Sequence, residues 1–150
     1  MDASERREWV FDDIAKGMQL PDINYTITSE ILERYLDGID DLNPLYLDDE
    51  YAKRSPFGGR IVPPLSMAIY TTVSNLIKPL GLVIPPGLVQ AYQRYEFTGV
   101  VRPDEKLLIK SVVADKYEKK GRKFVQLKSD VYNEKGEKVG TSWLTPIWSK

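Results

Sequence analysis

The sequence has 150 residues, 42% of them hydrophobic, with 21 Lys and Arg against 22 Asp and Glu and neither His nor Cys. That length suits one domain spanning residues 1–150, and a formal net charge of −1 argues against a broad phosphate-binding face for nucleic acid. Without His or Cys there is no imidazole base, no thiolate nucleophile, no disulfide and no histidine or cysteine metal site, so any chemistry rests on carboxylates, phenols, amines, guanidinium groups, hydroxyls or the backbone.

The first eight residues are charged and lack the apolar core of a secretory signal, and no stretch reaches the ~18–20 uninterrupted apolar residues of a membrane span. A cytoplasmic protein without a membrane segment is the expectation. Residues 22–28 alternate and are rich in β-branched types, which predicts a short strand. Thr28 or Ser29 can cap a helix in which Ile31, Leu32, Tyr35, Leu36 and Ile39 form one apolar stripe. That helix should fail near residues 38–41, because Asn43 precedes Pro44. Asp48, Asp49 and Glu50 mark the acidic start of a second short helix ending near Arg54.

Residues 55–60 are turn material. Pro63 and Pro64 follow, and the second suits the first position of a helix, where its missing N–H is not needed. Leu65, Ala68, Ile69, Thr72, Val73, Leu76 and Ile77 fit a helical repeat, opposite Ser66, Tyr70, Ser74 and Asn75. With so little charge, a helix over residues 65–77 is expected to be buried on most sides, ending at Pro79 and Gly81.

From Val89 the period becomes two. Val89, Ala91, Tyr95 and Phe97 share one predicted strand face. Leu107, Ile109 and Val113 mark a second strand, Val125, Leu127 and Val131 a third, and Val139, Trp143 and Ile147 a fourth. The turns at 102–105, 119–122 and 133–136 are short, and two of them contain glycine. These features predict one α+β domain in which an antiparallel meander wraps a central apolar helix.

The stretch Asp41-Leu42-Asn43-Pro44-Leu45-Tyr46 resembles the Asp-x-Asn-Pro-Leu-His signature of MaoC-like (R)-specific enoyl-CoA hydratases and 3-hydroxyacyl dehydratases. Residues 52–64 resemble the loop leading into that family's central helix. Tyr95-Glu96-Phe97 with Val101-Arg102-Pro103 is similar to its third recurrent segment, and order and spacing hold over roughly residues 20–148. The resemblance implies a hotdog fold, an acyl-CoA or acyl-carrier-protein thioester as substrate, no cofactor or metal, and a dimer or higher oligomer. It places Asp41 and Tyr46 at the catalytic positions. Asn43, Arg60, Pro63, Pro64, Tyr70 and Arg94 are the substrate-binding candidates, with Arg60, Arg94 and Arg102 able to meet ligand phosphates.

The departures are specific. Tyr46 stands where the family has His, and a phenol of pKa near ~10 is a weak base at neutral pH. Pro63-Pro64 replaces His-Gly at the helix start, so no N–H is available there for the thioester oxygen. The resemblance therefore extends to the non-catalytic half of paired dehydratases, and implies a partner hotdog subunit carrying Asp-x-Asn-Pro-x-His. Two alternatives stay open: a self-sufficient thioesterase using Asp41 as base, and a non-enzymatic acyl-CoA binding module. Structural roles also compete, with Asp41 as a turn cap, Tyr46 as a packed phenol, the arginines as paired surface charges, and Trp148 as an ordinary sheet residue or, if exposed, an interface residue.

Overall fold

The computed structural model describes residues 6–150. Strand β1 (Ile23–Thr26) leads into helix α1 (Ser29–Gly38), whose N-cap Thr28 accepts the Ile31 N–H at 3.2 Å. The Asp104 carboxylate adds a distant cap, accepting the Ser29 N–H at 3.0 Å and the Ser29 hydroxyl at 2.9 Å. Leu32 and Leu36 of α1 are buried in the core. Two short helices follow, α2 (Pro44–Leu47) capped by Asn43 and α3 (Asp49–Lys53) capped by Asp48. α3 matches the acidic start read from the sequence. α2 was not foreseen, because a four-residue helix carries no periodicity.

The central helix is not continuous over residues 65–77. A 3-10 turn (Pro64–Ser66) runs into α4 (Met67–Tyr70), and the chain breaks at Thr71 and Thr72 before α5 (Val73–Ile77). The cause is side-chain competition for the backbone. The Thr71 hydroxyl donates to the Met67 carbonyl at 2.9 Å, and the Thr72 hydroxyl accepts the Asn75 N–H at 3.3 Å, which makes Thr72 a new N-cap. Asn75 Nδ2 then satisfies the Ile69 carbonyl at 3.1 Å. The repeat placed Leu65 inside and Tyr70 on the opposite face, yet Leu65 is 57% exposed and Tyr70 only 2%.

Strands β2 (Val89–Phe97), β3 (Lys106–Lys119), β4 (Arg122–Tyr132) and β5 (Lys138–Trp148) complete an antiparallel sheet of order β1-β3-β4-β5-β2. The meander therefore covers only β3 to β5, and β2 crosses to the far edge beside β5 instead of pairing with β3. Lys120 and Gly121, with φ of 51° and 73°, form the two-residue hairpin between β3 and β4, a turn that needs a left-handed backbone at both positions. The inner face of the sheet packs Leu107, Ile109, Val113, Val125, Leu127 and Val131 against Met67, Tyr70, Val73, Leu76 and Ile77.

Two predicted faces are corrected. A bulge at Ala91 pairs Gln90 with Pro146 and Tyr92 with Thr145, so Val89 and Tyr95 lie on opposite faces of β2. In β5 the core face carries Gly140, Ser142 and Leu144, the partners of Val131, Ser129 and Leu127, rather than Trp143 and Ile147. Small side chains stand there because α4 approaches closely. A Cβ on Gly140 would lie 2.4 Å from Met67 Cε and 2.7 Å from the Glu96 carbonyl oxygen.

The segment before β1, for which the sequence offered no element, contributes Trp9, Phe11, Ile14 and Leu20 to the core. Trp148 is buried, not available at an interface: its indole N–H donates to the Trp9 carbonyl at 2.7 Å and the two rings meet edge to face at 5.5 Å. Among the described residues, no helix is long and apolar enough to cross a membrane.

Candidate functional site

Two consecutive turn caps build the Asp41–Tyr46 segment. Asp41 Oδ1 accepts the Asn43 N–H at 3.0 Å, and Asn43 Oδ1 accepts the Leu45 N–H at 3.0 Å, with Pro44 opening α2. This relay fixes Tyr46 on the inner side of α2, half-buried against the core beside Tyr35. Burial pushes the Tyr46 phenol above its ordinary pKa, and the neighbouring Asp41 carboxylate and Tyr35 push it further. Tyr35 is raised by the same two means, burial first and Asp41 second. A carboxylate beside two neutral phenols is an acceptor site with weak donors around it. It contains no group whose ordinary pKa lies near neutrality.

The loop entering the central helix is tied to this cluster. The Ile61 N–H donates to the Leu45 carbonyl at 3.4 Å and the Val62 N–H to the Val101 carbonyl at 2.9 Å. Pro63 is buried and Pro64 exposed; with Tyr70 and Phe97 they line a cavity of about 30 Å³, the volume share of ~one water molecule. Tyr70 packs against Tyr25 with ring centroids 5.1 Å apart and planes tilted by 30°, and burial, then Tyr25, raise its phenol far beyond the ordinary range. Neither proline can donate a hydrogen bond into the cavity.

The structure thus brings together Asp41, Asn43 and Tyr46, and links them through the 61–62 backbone to Pro63, Pro64 and Tyr70. It does not bring Arg94 to them. Arg94 pairs in register with Trp143 and lies 4.7 Å over that ring, on the outer face of the sheet, with Glu96 as ion-pair partner. Arg60 borders the loop, engaged with Asp49 at 2.8 Å. Arg102 holds the loop itself, donating to the carbonyls of Phe57, of Gly59 at 2.9 Å and of Arg60 at 3.3 Å. A guanidinium fork that binds three carbonyls has little left for a phosphate. The sequence reading missed a groove of about 290 Å³ between the helix break and β2, bordered by Thr72, Gln90, Gln93 and Tyr95. Its one signal was the Thr71-Thr72 pair, read as part of a continuous helix.

A five-stranded antiparallel sheet packed on a central helical segment, with an Asx-capped turn over the helix entrance, defines a hotdog-fold protein. The structural neighbours carry the same architecture. A MaoC-like dehydratase from Rhodospirillum rubrum aligns with a TM-score of 0.76 at 24% identity, covering 95% of this chain and 98% of that one. The C-terminally truncated HadBC (3R-hydroxyacyl-ACP dehydratase) complex from Mycobacterium tuberculosis aligns with a TM-score of 0.75 at 19% identity, covering 88% and 96%. By sequence, a UPF0336 protein from Streptomyces avermitilis is 27% identical over 126 residues, 79% of this chain and 81% of that protein. The chain belongs to the FAS1-like dehydratase domain region family, whose model matches residues 15–142.

Proposed function

We propose that this chain is the non-catalytic, acyl-thioester-binding subunit of a heteromeric MaoC-like enoyl-CoA hydratase/3-hydroxyacyl dehydratase, working in the cytoplasm. The observation that carries the reading is Tyr46. The position that calls for an imidazole beside Asp41 holds a phenol, and burial and the Asp41 charge both keep that phenol protonated. Hydration of an enoyl thioester requires one group to take a proton from water and another to deliver one to carbon, so a carboxylate alone leaves the pair incomplete. The Pro63-Pro64 start removes a second element, the N–H that would meet negative charge developing on the thioester oxygen.

A homodimer cannot supply the missing imidazole, because the sequence contains no His. A second hotdog subunit with Asp-x-Asn-Pro-x-His can, and the HadBC neighbour is itself a complex of unlike chains. In this arrangement the present chain contributes the acyl-binding wall beside the helix break. Asn43, Pro63, Pro64 and Tyr70 shape the mouth of the site, and Arg60 borders it.

The test is reconstitution. The chain is purified from its native source under mild conditions, and the co-purifying chains are sequenced. Crotonyl-CoA and longer enoyl-CoA hydration is then assayed for each chain alone and for the mixture. The proposal expects a partner bearing Asp-x-Asn-Pro-x-His and turnover that depends on it. Thioester hydrolysis by the isolated chain, lost in Asp41→Ala, would instead favour the thioesterase alternative.

A further inference from the structure

The helical overhang built from α1, α2 and α3 shows large apolar side chains to solvent. Between residues 39 and 51, Ile39, Leu42, Leu47 and Tyr51 are all exposed, Leu42 by 77%. They are not on loose chain. The Asn43 N–H is held by Asp41, the Leu45 N–H by Asn43, and the Tyr51 N–H by Asp48, each at 3.0 Å. The apolar groups are therefore presented on a capped, ordered backbone, the condition for a docking surface that costs little entropy on binding. The same turn carries Asp41 and Tyr46, so the surface borders the site that has no imidazole.

The rim of this surface is acidic. Residues 29–54 hold eight acidic side chains against three basic ones, in a chain whose net charge is only −1. Glu30, Glu50 and Asp49 are engaged with Arg34, Lys53 and Arg60. Glu33, Asp37 and Asp40 have no cation partner among the described residues. Glu33 and Asp37 stand four residues apart on α1, a like-charge placement that works against the helix itself. Apolar anchors inside a charged rim are the anatomy of a protein–protein interface.

The charge decides the occupant. Two copies meeting through this face about a two-fold axis would set the acidic rim against itself, a juxtaposition that suppresses pairing. The chain's own basic cluster, Lys119, Lys120 and Arg122, lies at the β3–β4 hairpin. That hairpin is at the far end of β3 from Asp104, which caps α1, roughly 40 Å away. A copy docking its hairpin on the next copy's overhang would leave both surfaces free at the ends, an open contact rather than a closed assembly. An unlike chain meets neither obstacle. We infer that this overhang docks the His-bearing subunit and selects it over a second copy by requiring a basic facing surface. The inference rests on the heteromeric reading above, and adds the docking face and the partner's charge.

The experiment is calorimetric titration of the full chain with the Asp-x-Asn-Pro-x-His subunit that accompanies it, at about 0.1 M and about 1 M NaCl, with light scattering of this chain alone. The variants are Leu42→Asp and Glu33→Lys/Asp37→Lys. All three positions are exposed, so both variants should fold, and circular dichroism checks that they do. Leu42→Asp is expected to weaken partner binding by roughly tenfold or more at both salt concentrations. The charge variant should weaken it by roughly tenfold at the lower salt and by much less at the higher, where screening removes the attraction. Partner binding unchanged in either variant, or a homodimer of this chain that Leu42→Asp dissociates, overturns this inference and leaves the heteromeric reading standing. A native source that yields no His-bearing subunit with this chain overturns both.

Discussion

The Asp41 carboxylate lies close enough to the Tyr46 phenol to raise its pKa, on top of the larger effect of burial. The relationship is the reverse of the one a carboxylate and an imidazole would have. Beside Asp41 an imidazole gains basicity and stays useful near neutral pH, whereas a phenol is driven further from ionisation.

Replacing Tyr46 with His should therefore restore only half of a hydratase site. Tyr46→His alone is expected to give little or no enoyl-CoA hydration. Tyr46→His/Pro64→Gly, which also returns an N–H at the helix start, should exceed it by about 100–1,000-fold. Steady-state hydration assays on the two variants check this; equal rates would remove Pro64 from the explanation.

The raised phenols also set the alkaline limit of stability. Tyr35, Tyr46, Tyr70 and Tyr95 all sit above the ordinary value of 10.0, and burial is the first cause in each. Above pH 10 the unfolded chain loses these protons while the folded chain keeps them, so folding stability falls as pH rises through that region. Below it, these groups leave stability flat. Urea unfolding at a series of pH values should show the decline, and Tyr70→Phe should flatten it most, because Tyr70 is the most deeply buried of the four.

Gly140→Ala should destabilise the fold by about 1–3 kcal/mol, as overpacking does. Trimming Met67 will not rescue it. The added Cβ meets the Glu96 carbonyl oxygen at 2.7 Å as well as the Met67 methyl, and backbone cannot swing aside. Thermal melts of the single variant and of Gly140→Ala/Met67→Ala distinguish the two contacts; full recovery in the double variant would place the whole strain on Met67.

Arg102→Ala should release the loop of residues 57–60 by freeing three carbonyls, with a stability loss of about 1–3 kcal/mol and faster proteolysis in that loop. Arg102→Lys should recover less than half of the loss, since one ammonium cannot reproduce a planar fork. Limited proteolysis with fragment mapping reads both effects.

Much of this architecture was legible from local chemistry. Thr28 as a cap, the Leu32 and Leu36 stripe, the acidic start of α3 and the alternation of β3 and β4 were readable because each depends on neighbours within a few residues. The departures all involve distant partners. The helix over residues 65–77 reads as continuous until Thr71, Thr72 and Asn75 are seen to take backbone groups for themselves. The inner face of β5 depends on α4 lying against Gly140, and the placement of β2 beside β5 has no signature in either strand. For the site, the Asp41–Tyr46 turn was legible from its motif. The groove bordered by Gln90 and Gln93 was not, because it needs a bulge that shifts alternation by one residue at Ala91.

In the proposed function this chain lacks half of a catalytic pair and acts with a subunit that has it. Hydration of an enoyl-CoA, followed as loss of thioester-conjugated absorbance, tests it directly on the purified chain with and without the His-bearing hotdog subunit. The expected result is no turnover by the chain alone and turnover in the mixture above that of the partner alone. Full hydratase activity from this chain by itself would contradict it.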